Sequence, residues 1–242
     1  MLSPDCSYET LKEFLESASC CIFINVYTFT NPEIAEILAE AEEEGIEVII
    51  LVEKSPAGGM KDEEKAILSF LSNKGVKVYL SDGSFRDNHA KYIIKDNSSV
   101  LVTTENFGYG GFSPYRIGNR GWGAIIESNE LAEFFINLFF DDLRQALPYM
   151  GNASFKIDNK ENKAVAQRFK PKKFGSALVE PVIAPDAVED VLELLSIANN
   201  SIMIEQFYIY KYWGSRKHGS VEKTPNLFLE KVIDKARHGV KS

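Results

Sequence analysis

A chain of 242 residues, 45% of them hydrophobic, is long enough to bury one large core or two small ones. Its formal charge of −8 argues against broad nonspecific binding to nucleic acid, though not against a local basic groove. No run of eighteen apolar residues is present to cross a bilayer, and polar, helix-patterned Met1 to Ser19 does not read as a signal peptide, so a cytoplasmic location is the default expectation.

Tyr8 to Ser19 carries Leu11, Phe14, Leu15 and Ala18 on one helical face. Cys21 to Phe29 is an apolar strand. Of the three cysteines, Cys6, Cys20 and Cys21, none has metal-ligand spacing, and the last two read as buried thiols at the strand start. Asn31 is placed to cap a helix that begins at Pro32 and stops at Gly45. Ile46 to Val52 reads as a buried strand, Lys61 to Asn73 as a helix stopped by Gly75, and Val76 to Leu80 as a short strand. A hairpin over His89 to Asn106 follows, then a Gly-rich loop from Phe107 to Gly121. A strand near Trp122 to Ile126 and a helix from about Asn129 to Ala146 complete the run. Strands alternating with helices predict an α/β sandwich around a mostly buried sheet.

The hairpin, HAKYIIKDNSSVLVTTEN, carries the chemistry. Residues two apart on a strand share a face, so His89 and Lys91 point together. A two-residue tip at Asn97-Ser98 would pair Asp96 with Ser99, and paired numbers would sum to 195. Lys91 would then face Thr104, His89 would face Asn106, and Glu105 would point the other way. An imidazole, an ammonium, a hydroxyl and a carboxamide on one face form a phosphate-handling group.

These residues resemble the HxKxxxxD motif of the phospholipase D superfamily, with His89, Lys91 and Asp96 at the motif positions. The family's downstream Gly-Ser-x-Asn stands here as Thr103-Thr104-Glu105-Asn106. The resemblance implies an α/β/α sandwich with a mixed sheet, and a phosphodiester hydrolase or transferase working through a phosphohistidine, with no metal and no cofactor. Two such motifs meet in the family, one histidine attacking phosphorus while the other protonates the leaving alcohol. Imidazole suits both tasks because it is a nucleophile and a near-neutral acid and base. His89 would be the nucleophile or its acid/base partner, Lys91 and Asn106 phosphate ligands, and Thr104 a weaker one. Asp96 would be a structural turn residue.

One departure touches His89 directly. Relatives carry an Asn-x-Glu whose carboxylate orients the catalytic histidine, and the corresponding Asn119-Arg120-Gly121 has glycine in that place. Within the same loop, Arg116 and Arg120 are candidates for the site mouth. The substrate class stays open between phospholipid and nucleic acid. The alternative is a noncatalytic phosphate-binding module.

The beginning of the pattern returns after residue 176. Leu11 to Leu15 and Ala18 to Ile24 recur as Val191 to Leu195 and Ala198 to Ile204, and Gly45-Ile46-Glu47 recurs as Gly239-Val240-Lys241. We therefore expect a first repeat over 1–147, a basic linker over 148–176 and the N-terminal part of a second repeat over 177–242. The linker's Lys156 to Gly175 holds seven Lys/Arg against two acids. The second repeat should open with a strand at Ala177 to Ile183 and superpose Ser201 to Ile209 on Cys21 to Phe29. Tyr208 and Trp213, in an inserted aromatic cluster, are candidate substrate contacts. His218 and His238 have no lysine two residues on. The expected partners are accordingly a phosphodiester substrate, plus a second copy of the chain or a missing C-terminal segment to supply the second imidazole.

Overall fold

The computed structural model describes residues 1–114, 118–154, 169–206, 208–214 and 217–241. They form two compact units, Met1–Gly175 and Ser176–Ser242.

In chain order the first unit consists of β1 (Leu2–Ser3), α1 (Ser7–Glu16), β2 (Cys21–Val26), α2 (Pro32–Glu43), β3 (Glu47–Val52), α3 (Asp62–Asn73), β4 (Lys77–Leu80), β5 (Lys91–Lys95), β6 (Ser99–Thr103), β7 (Gly121–Glu127), α4 (Asn129–Leu143) and β8 (Leu147–Pro148). The strands make one mixed sheet in the order β1-β7-β6-β5-β2-β3-β4-β8, with β2, β3 and β4 mutually parallel. Local chemistry sets the helix ends. The Asn31 side chain accepts from the Ile34 amide at 3.1 Å beside Pro32, and Gly45, with φ at 91°, ends the same helix in the left-handed region that glycine enters freely.

All six residues of β2 are buried, because the sheet is covered on both faces. Ile22, Ile24 and Val26 join one apolar cluster with Leu11, Leu15, Ile34, Leu38, Ile67 and Leu68 of α1, α2 and α3. Phe23 points the opposite way and packs on α4, with ring centroids 5.6 Å from Phe139 and 5.3 Å from Phe140. Each fully buried side chain of this size contributes roughly 1.5–3 kcal/mol. The result is the α/β/α sandwich. Of the cysteines, Cys6 and Cys21 are buried, whereas Cys20 is exposed, a correction to its expected burial: it lies just before β2, outside the covered strand.

The hairpin register differs by one residue from the expected one. Tyr92 pairs with Val102 and Lys95 with Ser99, so paired numbers sum to 194. The tip is Asp96-Asn97, with φ of 53° and 52°, closed by the Ser98 amide donating to the Lys95 carbonyl at 3.1 Å. Asp and Asn tolerate positive φ better than Ser, so Asp96 and Asn97 take the left-handed positions and Ser98 follows as a third loop residue. Three residues between Lys95 and Ser99, in place of two between Asp96 and Ser99, move the pairing by one. The Asp96 carboxylate then receives the Ser19 amide at 2.8 Å and the Cys20 amide at 2.8 Å, tying the tip to the start of β2 rather than to its own backbone.

The second unit holds α5 (Val188–Ser196) and α6 (Leu227–Arg237). Asn226 caps α6 by accepting from Leu229, and Gly239 follows it with φ at 91°. Ser201 and Lys241 form a parallel bridge, and the Lys241 amide donates to the Asn200 carbonyl at 3.0 Å. Ala177 to Ile183 does not form the expected strand. Among the described residues of Ser201 to Ile209, only Ser201 bridges. A strand forms only where a neighbour takes its amides and carbonyls; beyond the Lys241 bridge, where the Ile202 amide donates to the Lys241 carbonyl at 2.8 Å, no described neighbour does so here. Most of the basic segment, residues 155–168, lies outside the described residues.

Candidate active site

His89 sits just before β5, and its approach is clamped from below. The Glu53 carboxylate at the end of β3 accepts from the Ser55 amide at 2.7 Å, the Asn88 amide at 2.8 Å and the Ser81 hydroxyl at 2.9 Å. The Asn88 carboxamide donates to Asn25 Oδ1 at 2.8 Å, and Asn25 in turn reaches Tyr92 and Asp142. These buried polar groups are satisfied, so the network holds Asn88 and its neighbour in one place. Neither Asn25 nor Glu53 was singled out in the sequence. The readable signal was a polar side chain inside or directly after an apolar strand, CIFINV and EVIILVE.

The His89 side chain is exposed, but one face of its ring lies against Tyr27 at a centroid distance of 4.5 Å. Lys91, only 9% exposed, places Nζ 3.2 Å from His89 Nδ1, donates to the His89 carbonyl at 3.0 Å, and stands 5.3 Å over the Tyr27 ring. Burial pushes the Lys91 ammonium down to about 8, against the nearby Glu105 carboxylate, which raises it. Partial burial and the Lys91 charge together hold His89 below its ordinary value, with Asp87 acting the other way. Tyr27 is thus the third member of the cluster, and nothing in its strand-end position marked it out.

The one-residue shift exchanges the faces of the segment after β6. Thr104 does not face Lys91. Its backbone and hydroxyl are engaged with β7 instead: the Trp122 amide donates to Thr104 Oγ1 at 3.1 Å, and the Thr104 amide donates to the Trp122 carbonyl at 3.0 Å. Glu105 is the buried residue, and it interacts electrostatically with Lys91. Asn106 is half-buried, and its Oδ1 is buried with no hydrogen-bond partner. An unpaired buried polar atom costs about 1–3 kcal/mol. The oxygen and nitrogen ends of that carboxamide interchange by a simple flip.

The other candidates are dispersed. Asp96 is at the hairpin tip; burial raises its pKa, but the Ser19, Cys20 and Cys21 amides outweigh this and hold its carboxyl below the usual value. Arg120 donates to Asp5 Oδ2 at 2.6 Å and to the Ser3 carbonyl at 2.9 Å, which pins the Gly-rich loop to the N-terminal segment. Arg116 lies outside the described residues. In the second unit, Tyr208 meets Tyr210 at 4.9 Å and Trp213 packs edge-on against Phe228 at 5.4 Å. Among the described residues no group of three or more His, Cys, Asp and Glu is placed to hold a metal ion, and no helix is long and apolar enough to cross a membrane.

Comparison with known proteins finds relatives in fold and family. Nuc from Salmonella typhimurium, a phospholipase D family member, is 26% identical; the match covers 62% of this chain and 95% of that one, with a TM-score of 0.55. NucT from Helicobacter pylori shares the fold at 17% identity, 62% and 96% coverage and a TM-score of 0.52. No curated protein matches the chain. The family described as cardiolipin synthase, PLD-like domain, matches residues 11–143, more than half of the 242, and so takes in β2 to β7, α2 to α4 and the whole of the His89 cluster. The chain belongs to that family, within the phospholipase D superfamily.

Proposed function

We propose that the chain is a phosphodiester hydrolase or transferase in which His89 and Lys91 handle the phosphate. The observation that carries this reading is the Lys91 ammonium held 3.2 Å from an exposed imidazole whose other surroundings are fixed by Tyr27 and Asn88. A phosphate oxygen approaching the same ammonium would come beside the ring. In the forward step His89 Nε2 forms a nitrogen–phosphorus bond, the bond from phosphorus to the leaving oxygen breaks, and a second imidazole gives that oxygen its proton. Water or an alcohol then attacks phosphorus, the nitrogen–phosphorus bond breaks, and the second imidazole takes the proton. Lys91 stabilises the equatorial oxygens, whose charge grows in the transition state.

In this reading another copy of the chain supplies the second imidazole. The unit Ser176–Ser242 supports an internal repeat: its Ser201–Lys241 bridge, Asn226 cap and Gly239 stop parallel the Cys21–Glu47 pair, the Asn31 cap and Gly45. Both a phospholipid and a nucleic acid present the phosphodiester this chemistry requires.

The test is turnover of bis(p-nitrophenyl) phosphate, with acid-labile phosphoryl transfer to His89 followed by mass spectrometry. Loss of roughly 10²–10⁴ in rate and of the labelled peptide in His89→Ala is expected. Binding of phosphate without turnover, unaffected by His89→Ala, would instead favour a noncatalytic phosphate-binding module.

A further inference from the structure

Resting on that reading of His89 and Lys91, we propose that Glu105 is a positioning residue of the site, its carboxylate filling the space of an absent side chain at position 121 and acting on Lys91 from the neighbouring strand end. The fit is built from two glycines. A Cβ on Gly111 would lie 2.4 Å from Glu105 Cβ, and a Cβ on Gly121 would lie 1.8 Å from Glu105 Oε1 and 2.6 Å from Cδ. The Glu105 side chain therefore threads between two bare α-carbons ten residues apart in the chain. No residue larger than glycine is compatible with that path at either position, unless Glu105 moves.

Threading alone would describe packing, but the group threaded is a carboxylate that is 9% exposed. A buried charge costs several kcal/mol unless another charge or hydrogen bonds compensate. Burial raises the Glu105 carboxyl above its ordinary value, against the Thr104 hydroxyl, which donates to Oε1 at 3.5 Å, and against Lys91, the cation that acts on it among the described residues. Among the described residues, the groups that bear on Lys91 are His89 on its own segment, Tyr27 from the end of β2, and Glu105. Tyr27 offers a ring face and His89 a lone pair, so Glu105 is the anion of this set. It keeps the ammonium charged against its own burial, and a charged Lys91 is the form that meets a phosphate. Gly121 stands where the sequence resemblance calls for a glutamate, and the Glu105 carboxylate occupies the space a side chain there would take.

The experiment moves the carboxylate back. Glu105→Gln keeps the shape and removes the charge, Glu105→Ala removes both, and Glu105→Ala combined with Gly121→Glu restores the charge from the other side. Lys91 and His89 are titrated by NMR in each folded variant, and bis(p-nitrophenyl) phosphate turnover is followed against pH. We expect Glu105→Gln to lower the Lys91 titration by about one pH unit, which near pH 8 cuts the charged fraction, and the rate with it, about fivefold. The double variant should return the Lys91 titration toward the parent value, and Gly121→Glu alone should lose stability by overlap with Glu105. An unchanged Lys91 titration in Glu105→Gln overturns the proposal, as does a double variant titrating no higher than Glu105→Ala. Should the parent chain turn over no phosphodiester, the catalytic reading fails while the titration still decides the role of Glu105.

Discussion

Lys91 Nζ donates to the His89 carbonyl at 3.0 Å while standing 3.2 Å from Nδ1 of the same residue. An ammonium only donates, so Nδ1 accepts and the neutral ring carries its proton on Nε2. A ring in that tautomer cannot attack through Nε2. Substrate phosphate, by drawing the ammonium to its own oxygens, would release Nδ1 and allow the proton to move. The first prediction follows. Lys91→Met removes a like charge, so the His89 pKa rises toward, but not to, its ordinary 6.5, since burial against Tyr27 remains. Nitrogen-detected NMR should show one dominant tautomer in the parent and a mixture in the variant. An unchanged His89 titration would contradict this.

Glu53→Gln tests the clamp beneath the site. The carboxylate accepts three hydrogen bonds, and an amide cannot accept at both ends. We expect a stability loss of roughly 2–3 kcal/mol in urea titration, together with faster hydrogen exchange at the Asn88 amide. Exchange accelerated elsewhere but not at Asn88 would show that the clamp acts on another segment.

Asp96→Gly isolates the carboxylate at the hairpin tip, because glycine keeps the positive φ of 53° without strain. Ser19 and Cys20 lose their acceptor, but both are exposed enough for water to replace part of it, so the expected loss is about 1 kcal/mol. The folded carboxyl titrates below its ordinary 3.8, so this contribution is present at neutral pH and disappears as pH falls through that region. Parent and variant stabilities should converge there. Phosphodiester turnover at neutral pH should survive in the variant.

Glu64 carries the opposite sign. Its carboxyl is buried on α3, accepts the Phe29 amide at 2.7 Å, and is pushed up by burial from 4.5 to about 7, against the Phe29 amide and Lys61. The folded state therefore binds its proton more tightly than the unfolded chain, and stability falls as pH rises from about 4.5 to about 7. That interval converts to roughly 3 kcal/mol. Glu64→Gln should flatten this part of the pH–stability curve and raise the thermal midpoint at pH 8. A parent curve already flat between pH 5 and pH 7 would contradict the assignment.

Much of the fold was legible because its causes are local. Asn31 beside Pro32, Gly45 after the helix, and the unbroken apolar runs of β2 and β3 act within a few residues of themselves. The pairing of His89 with Lys91 was readable for the same reason. The strand expected at Ala177 to Ile183 failed on a nonlocal requirement, a neighbour to bond with, which no residue pattern contains.

Short-range pattern and spacing carry the family, the sandwich and the pairing of His89 with Lys91. The tertiary structure alone decided which residues join that pair. A three-residue loop, Asp96 to Ser98, anchored to Ser19 and Cys20 through the Asp96 carboxylate, shifted the register by one residue. Because side chains alternate with a period of two, that shift turned Thr104 toward β7 and left Glu105 buried beside Lys91. Glu53, Asn25, Tyr27 and the Gly111–Gly121 slot come from loops and strand ends far apart in the chain. Their proximity is a property of the packed sheet, and no window of sequence contains it.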